Sequence, residues 1–318
     1  VLLQDNEDML LAAPMPIYMG YASNTYTNIG EANNRGIEMN LEWRDKTESG
    51  FEYNVGVNMS TIRNRMTKLN GGTPISDGPF RNGSMYLTYT NEGMPIGAFW
   101  GYKTDGLIQT QEQLNAVKRA DFQPNAELGD VLFVDTNGDG KLDSSDRCMI
   151  GNPIPDIIYG INMGMAWKGF DLNLQFGGTI GNQIFNAMRY YTYFPNDITN
   201  KDRALMNYWT PNNTNTDIPR LTATDVNDND RFSDMYVENG TYFRLRNAQL
   251  GYTLPASLTQ RIKLQKVRFY VSGQNLFTIS SYSGMDPEVG QSSSLSRGID
   301  YGIYPQNISF TGGINVTF

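Results

Sequence analysis

Histidine is absent from the 318 residues, and cysteine occurs only once, as Cys148. Without an imidazole, the chain cannot build the usual general base, a serine–histidine or cysteine–histidine nucleophile pair, or an imidazole metal site. A single cysteine also excludes an intramolecular disulfide. The histidine-dependent enzyme classes are therefore excluded, and we expect a protein that is not an enzyme.

Basic residues are also few, because 25 Lys and Arg residues stand against 33 Asp and Glu residues, for a formal net charge of −8. Binding to nucleic acid depends on clustered Lys and Arg side chains that neutralise phosphates. No nucleic acid partner is therefore expected.

Long apolar runs are missing as well, since none approaches the roughly 20 residues that a membrane-spanning helix needs. The mean hydropathy of −0.45 is of the kind usually associated with a soluble protein. A strand of a membrane barrel, however, needs only about 10 alternating residues with the polar ones facing the lumen, so its mean hydropathy stays low. The low hydropathy is therefore compatible with an outer-membrane barrel.

The chain does contain strict alternation of apolar and polar residues, which places successive side chains on opposite faces of a strand. The pattern is clearest in 37–44, in 51–60 and in the hairpin 159–176. The apolar positions predicted to face lipid include Leu41, Val55, Met163, Leu172 and Val316. The polar positions predicted to face the lumen include Asn40, Asn54, Asn162, Asn173 and Asn315. The alternation changes phase at 246–247, which predicts a β-bulge there.

The linkers between these strands alternate between short and long. Short polar turns are predicted at 4–8, 45–50, 168–169 and 255–266, and long loops at 14–34, 63–156, 181–240 and 280–306. Outer-membrane barrels have short periplasmic turns and long extracellular loops. The sequence therefore predicts an all-β fold, an antiparallel transmembrane β-barrel to which this chain contributes about eight strands. Gly and Asn on the predicted inner face suit a wide lumen, so the first and last strands should pair with strands outside this chain.

Residues 135–146 match the ligand spacing of an EF-hand-like calcium loop. Its oxygen donors would be the side chains of Asp135, Asn137, Asp139, Asp143 and Asp146 and the carbonyl group of Lys141. The last position is Asp, where the strict pattern has a bidentate Glu, and the flanks 131–134 and 147–150 are typical of strands rather than helices. The sequence predicts a structural calcium site, with an acidic turn that binds no ion as the alternative.

Aromatic residues are concentrated in the long loop 181–240. The candidates for contact with a substrate or a lid protein are Tyr190, Tyr191, Tyr193, Phe194, Tyr208 and Trp209. One hypothesis is that they form a cluster that stacks on sugar rings or apolar peptide side chains. The alternative is that they pack the interior of the loop, because aromatic side chains bury a large area in any context.

Several segments resemble, in order along nearly the whole chain, the C-terminal half of the SusC/RagA-type TonB-dependent transporters. They are NRGIE (34–38), FWGYKTDG (99–106), GD (129–130), IGNP (150–153), YFRLRN (242–247), LGYTLP (250–255), VSGQNL (271–276) and DPE (286–288). The resemblance implies a barrel of about 22 strands in the outer membrane of a Gram-negative bacterium. Residues 1–318 would be the C-terminal part of that barrel, including the extracellular loops 63–156 and 181–240.

The resemblance also implies an N-terminal plug, energy supplied through TonB, and a SusD-like surface lipoprotein that captures glycans or oligopeptides. The plug and the TonB-contacting segment would lie in a region that precedes this chain. Import of an oligomeric nutrient is therefore the leading hypothesis. A passive porin and a secreted β-sandwich binding module with a calcium-stapled loop are the alternatives.

Overall fold

A computed structural model describes residues 1–13, 25–69, 74–194, 200–290 and 293–318. The strands are β1 (Leu2–Ala13), β2 (Thr25–Gly36), β3 (Glu38–Lys46), β4 (Glu52–Thr61), β5 (Arg63–Leu69), β6 (Ile75–Phe80), β7 (Met85–Thr90), β8 (Ala98–Gly101), β9 (Thr104–Leu107), β10 (Val131–Phe133), β11 (Cys148–Gly151), β12 (Ile157–Trp167), β13 (Phe170–Ile180), β14 (Gln183–Asn186), β15 (Val237–Asn239), β16 (Tyr242–Thr253), β17 (Lys266–Ser280), β18 (Ile299–Asp300) and β19 (Ser309–Thr317). The α-helices are α1 (Gln111–Arg119), α2 (Ala187–Tyr193) and α3 (Ala256–Thr259), with short 3-10 helices at Ser144–Asp146, Arg203–Asn207, Asp234–Tyr236 and Gln260–Ile262. Among the residues in these ranges, no helix is long and apolar enough to cross a membrane.

Seven strands form one antiparallel sheet in the order β19-β17-β16-β13-β12-β4-β3. Residues directly opposite each other on neighbouring antiparallel strands share a face. The apolar pairs include Leu41–Val57, Val55–Met163, Met165–Leu172, Leu172–Leu250 and Val267–Val316. On the other face lie the pairs Asn40–Asn58, Asn54–Gly164, Asn162–Gln175, Asn173–Gln249 and Arg268–Asn315. The predicted separation of apolar and polar residues onto two faces is confirmed.

β2 and β3 together form one long strand, and so do β4 and β5. Both long strands extend beyond the large sheet. β2 leads into β3 and β4 leads into β5 without a change of register, since Arg35 is opposite Arg63 just as Glu38 is opposite Ser60. β1 pairs with the other edge of β2 and adds an eighth strand to the seven. In the described part of the chain, β1 pairs only with β2 and β19 only with β17. As predicted, the first and last strands do not pair with each other.

Some strand boundaries differ from those predicted. The turn predicted at 4–8 is wrong, because β1 runs through these residues and absorbs them in a register shift between Asn6 and Met9. Residues 4–8 are polar because most of them are exposed to solvent on a strand, not because they form a turn. In the loop predicted at 14–34, residues 25–34 belong to β2, and 14–24 lie outside the described residues. The loop predicted to begin at 63 begins instead with the strand β5.

The predicted β-bulge is confirmed and lies at Arg246. On β13, Phe176 is opposite Leu245 and Gln175 is opposite Asn247, so Arg246 has no residue opposite it. The ladder between β16 and β17 shifts at the same place. Because the extra residue reverses the alternation, Arg244 points to the polar face of the sheet rather than the apolar one.

Glycine and asparagine alternate across neighbouring strands on the polar face. Asn54 and Asn58 of β4 are opposite Gly164 and Gly160 of β12. A Cβ at Gly164 would lie only 2.2 Å from Asn54 Oδ1, and one at Gly160 only 2.8 Å from Asn58 Oδ1. The asparagine amides therefore lie over the glycines and fill the space that a side chain there would need.

The three long connections that follow β4, β13 and β17 fold into small sheets of their own. β6, β7, β8 and β11 form a four-stranded sheet, and β14 joins β15 and β18 in a three-stranded one. They share a core that includes Phe80, Phe99, Phe185 and Tyr236. Within the first of these connections lies the helix α1, whose first turn is closed by a capping box between Thr110 and Gln113. These connections are ordered structure rather than open linkers.

A buried arginine fastens the last long loop to β16. The Arg244 side chain is 2% exposed and donates to Asp286 Oδ1 at 2.5 Å and to Glu288 Oε2 at 2.8 Å. Burial alone would raise the pKa of the Asp286 carboxyl, but the N–H groups of Gln306 and Glu288 and the guanidinium of Arg244 outweigh it and hold the pKa below its ordinary value. The segments 242–247 and 286–288, both noted in the sequence, thus bind each other.

We expect Arg244→Met to open this loop, because removal of one partner leaves the buried Asp286 charge uncompensated, at a cost of about 3 to 5 kcal/mol. Arg246→Ala is the matched control. Arg246 pairs with Glu288 at 3.1 Å but is 42% exposed, so its loss should cost less than about 1 kcal/mol. Hydrogen exchange of residues 281–290 in the full-length protein measures both costs, and equal costs would contradict the assignment.

The same pair predicts a dependence on pH. Because the folded pKa of Asp286 is depressed, its contribution to stability is present above the ordinary carboxyl pKa of about 3.9 and is lost as the pH falls through the folded value. The difference between wild type and Arg244→Met should therefore shrink in acid. A difference that grows as the pH falls would contradict this sign.

Candidate functional site

The acidic loop 135–146 connects β10 to β11, as its strand-like flanks predict. Asp135 accepts hydrogen bonds from the N–H groups of Gly138 at 2.6 Å and Gly140 at 2.8 Å. The Asn137 side chain accepts from the N–H of Asp139 at 2.9 Å. Gly138 and Gly140 have φ angles of +77° and +79°, a conformation that glycine adopts without strain. The backbone N–H groups in the first half of the loop thus donate to the acidic and amide side chains of the same loop.

The second half of the loop is closed by Asp146, which is fully buried. Its two carboxylate oxygens accept from the N–H groups of Thr136 and Asp143, each at 3.0 Å. The Asp143 carboxylate accepts from the N–H of Ser145, which lowers the pKa of Asp143. Asp146 therefore ties the start of the loop to its end.

The oxygen donors of this loop are of the type that calcium binds, but they do not converge on one point. In the part of the chain that the structure describes, no group of three or more His, Cys, Asp or Glu side chains is placed to hold a metal ion. The Asp135 and Asp139 carboxylates instead face backbone N–H groups of the loop. Each carboxylate oxygen keeps a second lone pair for a hard cation. Binding of calcium would require these oxygens to converge, so the calcium site stays a prediction.

The aromatic residues of the loop 181–240 do not form one cluster, which corrects the sequence-based hypothesis. Tyr190 and Phe194 pack in the core that contains Phe80, with ring centroids of Tyr190 and Phe80 5.0 Å apart. Trp209 lies in a second core beside Phe133, and its indole N–H donates to Gln109 at 2.8 Å. The positions of these residues along the loop did not indicate that they would pack in two different cores.

The remaining three aromatic candidates are less buried. Tyr191 is half-buried and packs against Phe80, with ring centroids 5.1 Å apart. Tyr193 is half-buried beneath the guanidinium of Arg189, which lies 5.1 Å from its ring centroid. Tyr208 is half-buried at the end of a short 3-10 helix. Partial exposure leaves these three rings able to contact another molecule.

A hollow of about 440 Å³ opens beside Tyr190 and Tyr191. It is lined by Arg81, Asn82, Ser84, Tyr190, Tyr191, Phe194 and Asp230. Arg81 forms an ion pair with Asp230 and donates to the Tyr190 hydroxyl at 3.0 Å. Burial, and then the nearby Asp230 carboxylate, raise the pKa of Tyr190, which therefore remains a neutral hydroxyl. The hollow combines aromatic faces with a fixed row of hydrogen-bonding groups.

Sequence reasoning did not find the polar side of this hollow. Arg81 and Asn82 occupy a tight turn after β6 with φ angles of +50° and +57°. The Asn-Gly pair that follows Arg81 is a turn signal and could have been noticed. Asp230 lies 149 positions away from Arg81, and no local pattern connects the two.

The chain is similar to known proteins over almost its whole length. Residues 3–140 match the family described as TonB dependent receptor-like, beta-barrel. TonB-dependent receptor P3 of Formosa agariphila is 37% identical over 98% of this chain, and TonB-dependent receptor SusC of Bacteroides thetaiotaomicron is 26% identical over 98%. The RagAB peptide transporter structure superposes with a TM-score of 0.77 at 24% identity, over 99% of this chain and 32% of that one.

The chain spans about a third of the length of these relatives, 31% of P3 and 29% of SusC. The relatives are receptors and transporters rather than enzymes, as expected from the sequence. Both the family and the superposition agree with the antiparallel sheet described above. Residues 3–140 therefore carry the β-barrel domain of the TonB-dependent receptors, and over almost its whole length the chain is similar to SusC-like receptors, which are proteins of the outer membrane of Gram-negative bacteria.

Proposed function

We propose that the full-length protein imports an oligomeric nutrient, a glycan or an oligopeptide, across the outer membrane. The observation that carries the proposal is the similarity to P3 and SusC over 98% of this chain. The energy would come through TonB, and a SusD-like surface lipoprotein would cover the extracellular loops. The polar face of the sheet, with its asparagines and glycines, suits a wet lumen through which a polar oligomer passes.

A growth screen tests this proposal. A strain that lacks the full-length gene should fail to grow on one class of oligomer, either defined glycans or defined oligopeptides, and the affected class identifies the substrate. Removal of TonB should have the same effect. Growth that needs the gene but not TonB would favour a passive porin, and recovery of the protein from the medium rather than from membranes would favour a secreted module.

We also propose that the hollow beside Tyr191 contacts the oligomer or the covering lipoprotein. Among the six aromatic candidates, Tyr190, Tyr191 and Phe194 line it, and Tyr190 and Phe194 are buried in the loop core. Tyr191 is half-buried, so its ring is the one best placed to stack on a sugar or an apolar side chain. The Arg81–Asp230 pair and the side chains of Asn82 and Ser84 would orient the polar groups of the ligand.

For this hollow, we expect Tyr191→Leu to raise the KM for uptake by about twofold to tenfold, since the loss of aromatic stacking costs about 0.5 to 1.5 kcal/mol while apolar packing is kept. Tyr208→Leu is the matched control, because Tyr208 is also half-buried in the same loop but does not line the hollow. Radiolabelled uptake of the oligomer identified by the growth screen measures both. An equal effect of the two variants would rule out a specific contact.

The loop 135–146 is proposed as a structural calcium site that stiffens the extracellular surface. The support is the oxygen donor set in the required order and the two open glycines, Gly138 and Gly140, which leave space beside the acidic side chains. Asp135, Asn137, Asp139, Asp143, Asp146 and the carbonyl of Lys141 would be the ligands. The ion would draw together oxygens that otherwise face backbone N–H groups.

We expect calcium to slow proteolysis of this loop in the purified full-length protein, and Asp139→Ala to abolish the protection without unfolding the barrel. Asp105→Ala removes the same charge from an exposed position on β9 and should leave the protection intact. Limited proteolysis with calcium or a chelator gives the readout. Equal protection of wild type and Asp139→Ala would favour the acidic turn that binds no ion, and global loss of the folded barrel would contradict a local role.

A further inference from the structure

A group of three arginines lies on the outer surface of the joined strands. On β2 and β5, Arg35 is directly opposite Arg63, and Arg65 lies two residues further along β5 on the same face. Residues that face each other in this way have Cβ atoms about 5 Å apart, and like charges in this position destabilise the pair. None of the three guanidiniums has an ion pair or hydrogen bond with the residues that the structure describes.

The register shows which face carries these arginines. β2 and β3 form one strand, and so do β4 and β5, with the same pairing on both sides of the junction. Alternation therefore places Arg35 on the face of Ile37, Met39 and Leu41, the face that contacts lipid. The opposite face at this level is covered, because Ala32 and Met66 are buried in a core with Ile75. The arginines point outward, away from the lumen.

Their height places them at the outer boundary of the membrane. Arg35 lies eight residues from Trp43, an aromatic residue near the short turn at the other end of the strand. At about 3.3 Å per residue and a tilt of about 40°, the two are roughly 20 Å apart along the membrane normal. The apolar band of such barrels is about 25 Å tall. The Arg35 backbone therefore lies about 5 Å inside the outer edge of this band, and the long arginine side chains extend from there to the lipid headgroups.

A hollow of about 680 Å³ on this face adds a second, independent observation. Arg35 and Arg63 line it together with apolar side chains that include Leu3, Ile37 and Ile157. Asp156 is the acidic residue in its lining. Asp5, two residues from Leu3 along β1 and on the same face, is hydrogen-bonded to Asn33. Glu31 and Lys68 neutralise each other at 2.9 Å. The hollow thus presents two guanidiniums above an apolar floor.

We propose that this hollow binds the phosphorylated headgroup of a lipid in the outer leaflet. A phosphate accepts paired hydrogen bonds from guanidiniums, and two opposed arginines can hold it from both sides while it removes their mutual repulsion. The apolar residues below take up the first part of the acyl chains. A net charge of −8 makes nonspecific attraction of anions by the chain unfavourable, so the binding depends on these particular arginines.

The test uses the full-length protein in detergent, with bisphosphorylated lipid A as the probe and native mass spectrometry as the readout. Arg35→Gln/Arg63→Gln should weaken lipid binding by about tenfold or more, because charge-assisted hydrogen bonds are lost. Arg119→Gln/Arg203→Gln removes the same charge from exposed positions in the loops and should leave binding unchanged. Equal loss in both double variants, or no loss in the first, would overturn the proposal.

Two further arms identify the ligand and control for folding. Lipid A without its phosphates should bind no better to wild type than to the Gln double variant, and equal binding of the two lipids by wild type would overturn the proposal. Displacement of the lipid by inorganic phosphate at equal concentration would assign the hollow to free phosphate and overturn the lipid assignment. Arg35→Lys/Arg63→Lys keeps the charge if the Gln variant fails to fold, and it should bind with intermediate affinity because Lys cannot form paired hydrogen bonds.

Discussion

The hydrocarbon interior of a membrane offers no hydrogen-bonding partner to a backbone amide, so every N–H and C=O group of a spanning strand must be paired with a neighbouring strand. The continuous ladder from β19 to β3, extended by β1 on β2, satisfies this requirement for the inner strands, while the outer edges of β1 and β19 are expected to pair with strands outside this chain. Once the ladder is set, each side chain is assigned to lipid or lumen. The positions of the loops, the anchor at Arg244 and the outward arginines all follow from that one register.

Features with a local cause could be predicted from the sequence. Alternation placed Leu41 and Asn40 on opposite faces because the strand period is two, and a change of phase revealed the bulge at Arg246 for the same reason. Polarity misled at 4–8, where an exposed strand carries the same residues as a turn. Beyond the membrane-spanning part of a strand, amino-acid composition no longer distinguishes a strand from a turn.

Contacts between distant loop residues could not be predicted. Arg244 and Asp286 are 42 positions apart, and Arg220 and the fully buried Asp130 are 90 apart, with no periodic pattern that relates them. The family-like segments nevertheless included 129–130, 242–247 and 286–288. The structure gives these segments a physical meaning, since each contributes to a buried ion pair that fastens a loop.

The wall of Asn54, Asn58, Gly160 and Gly164 has a mechanical consequence. An amide carries both a donor and an acceptor but no net charge, so a polar group beside this wall finds a similar partner at each step along the strand. The interaction energy between such a group and the wall therefore varies little along the strand, and the wall exerts little force in that direction. Because these groups repeat along the strand, the wall gives a passing polar group no preferred direction, so the direction of any movement must be imposed from elsewhere.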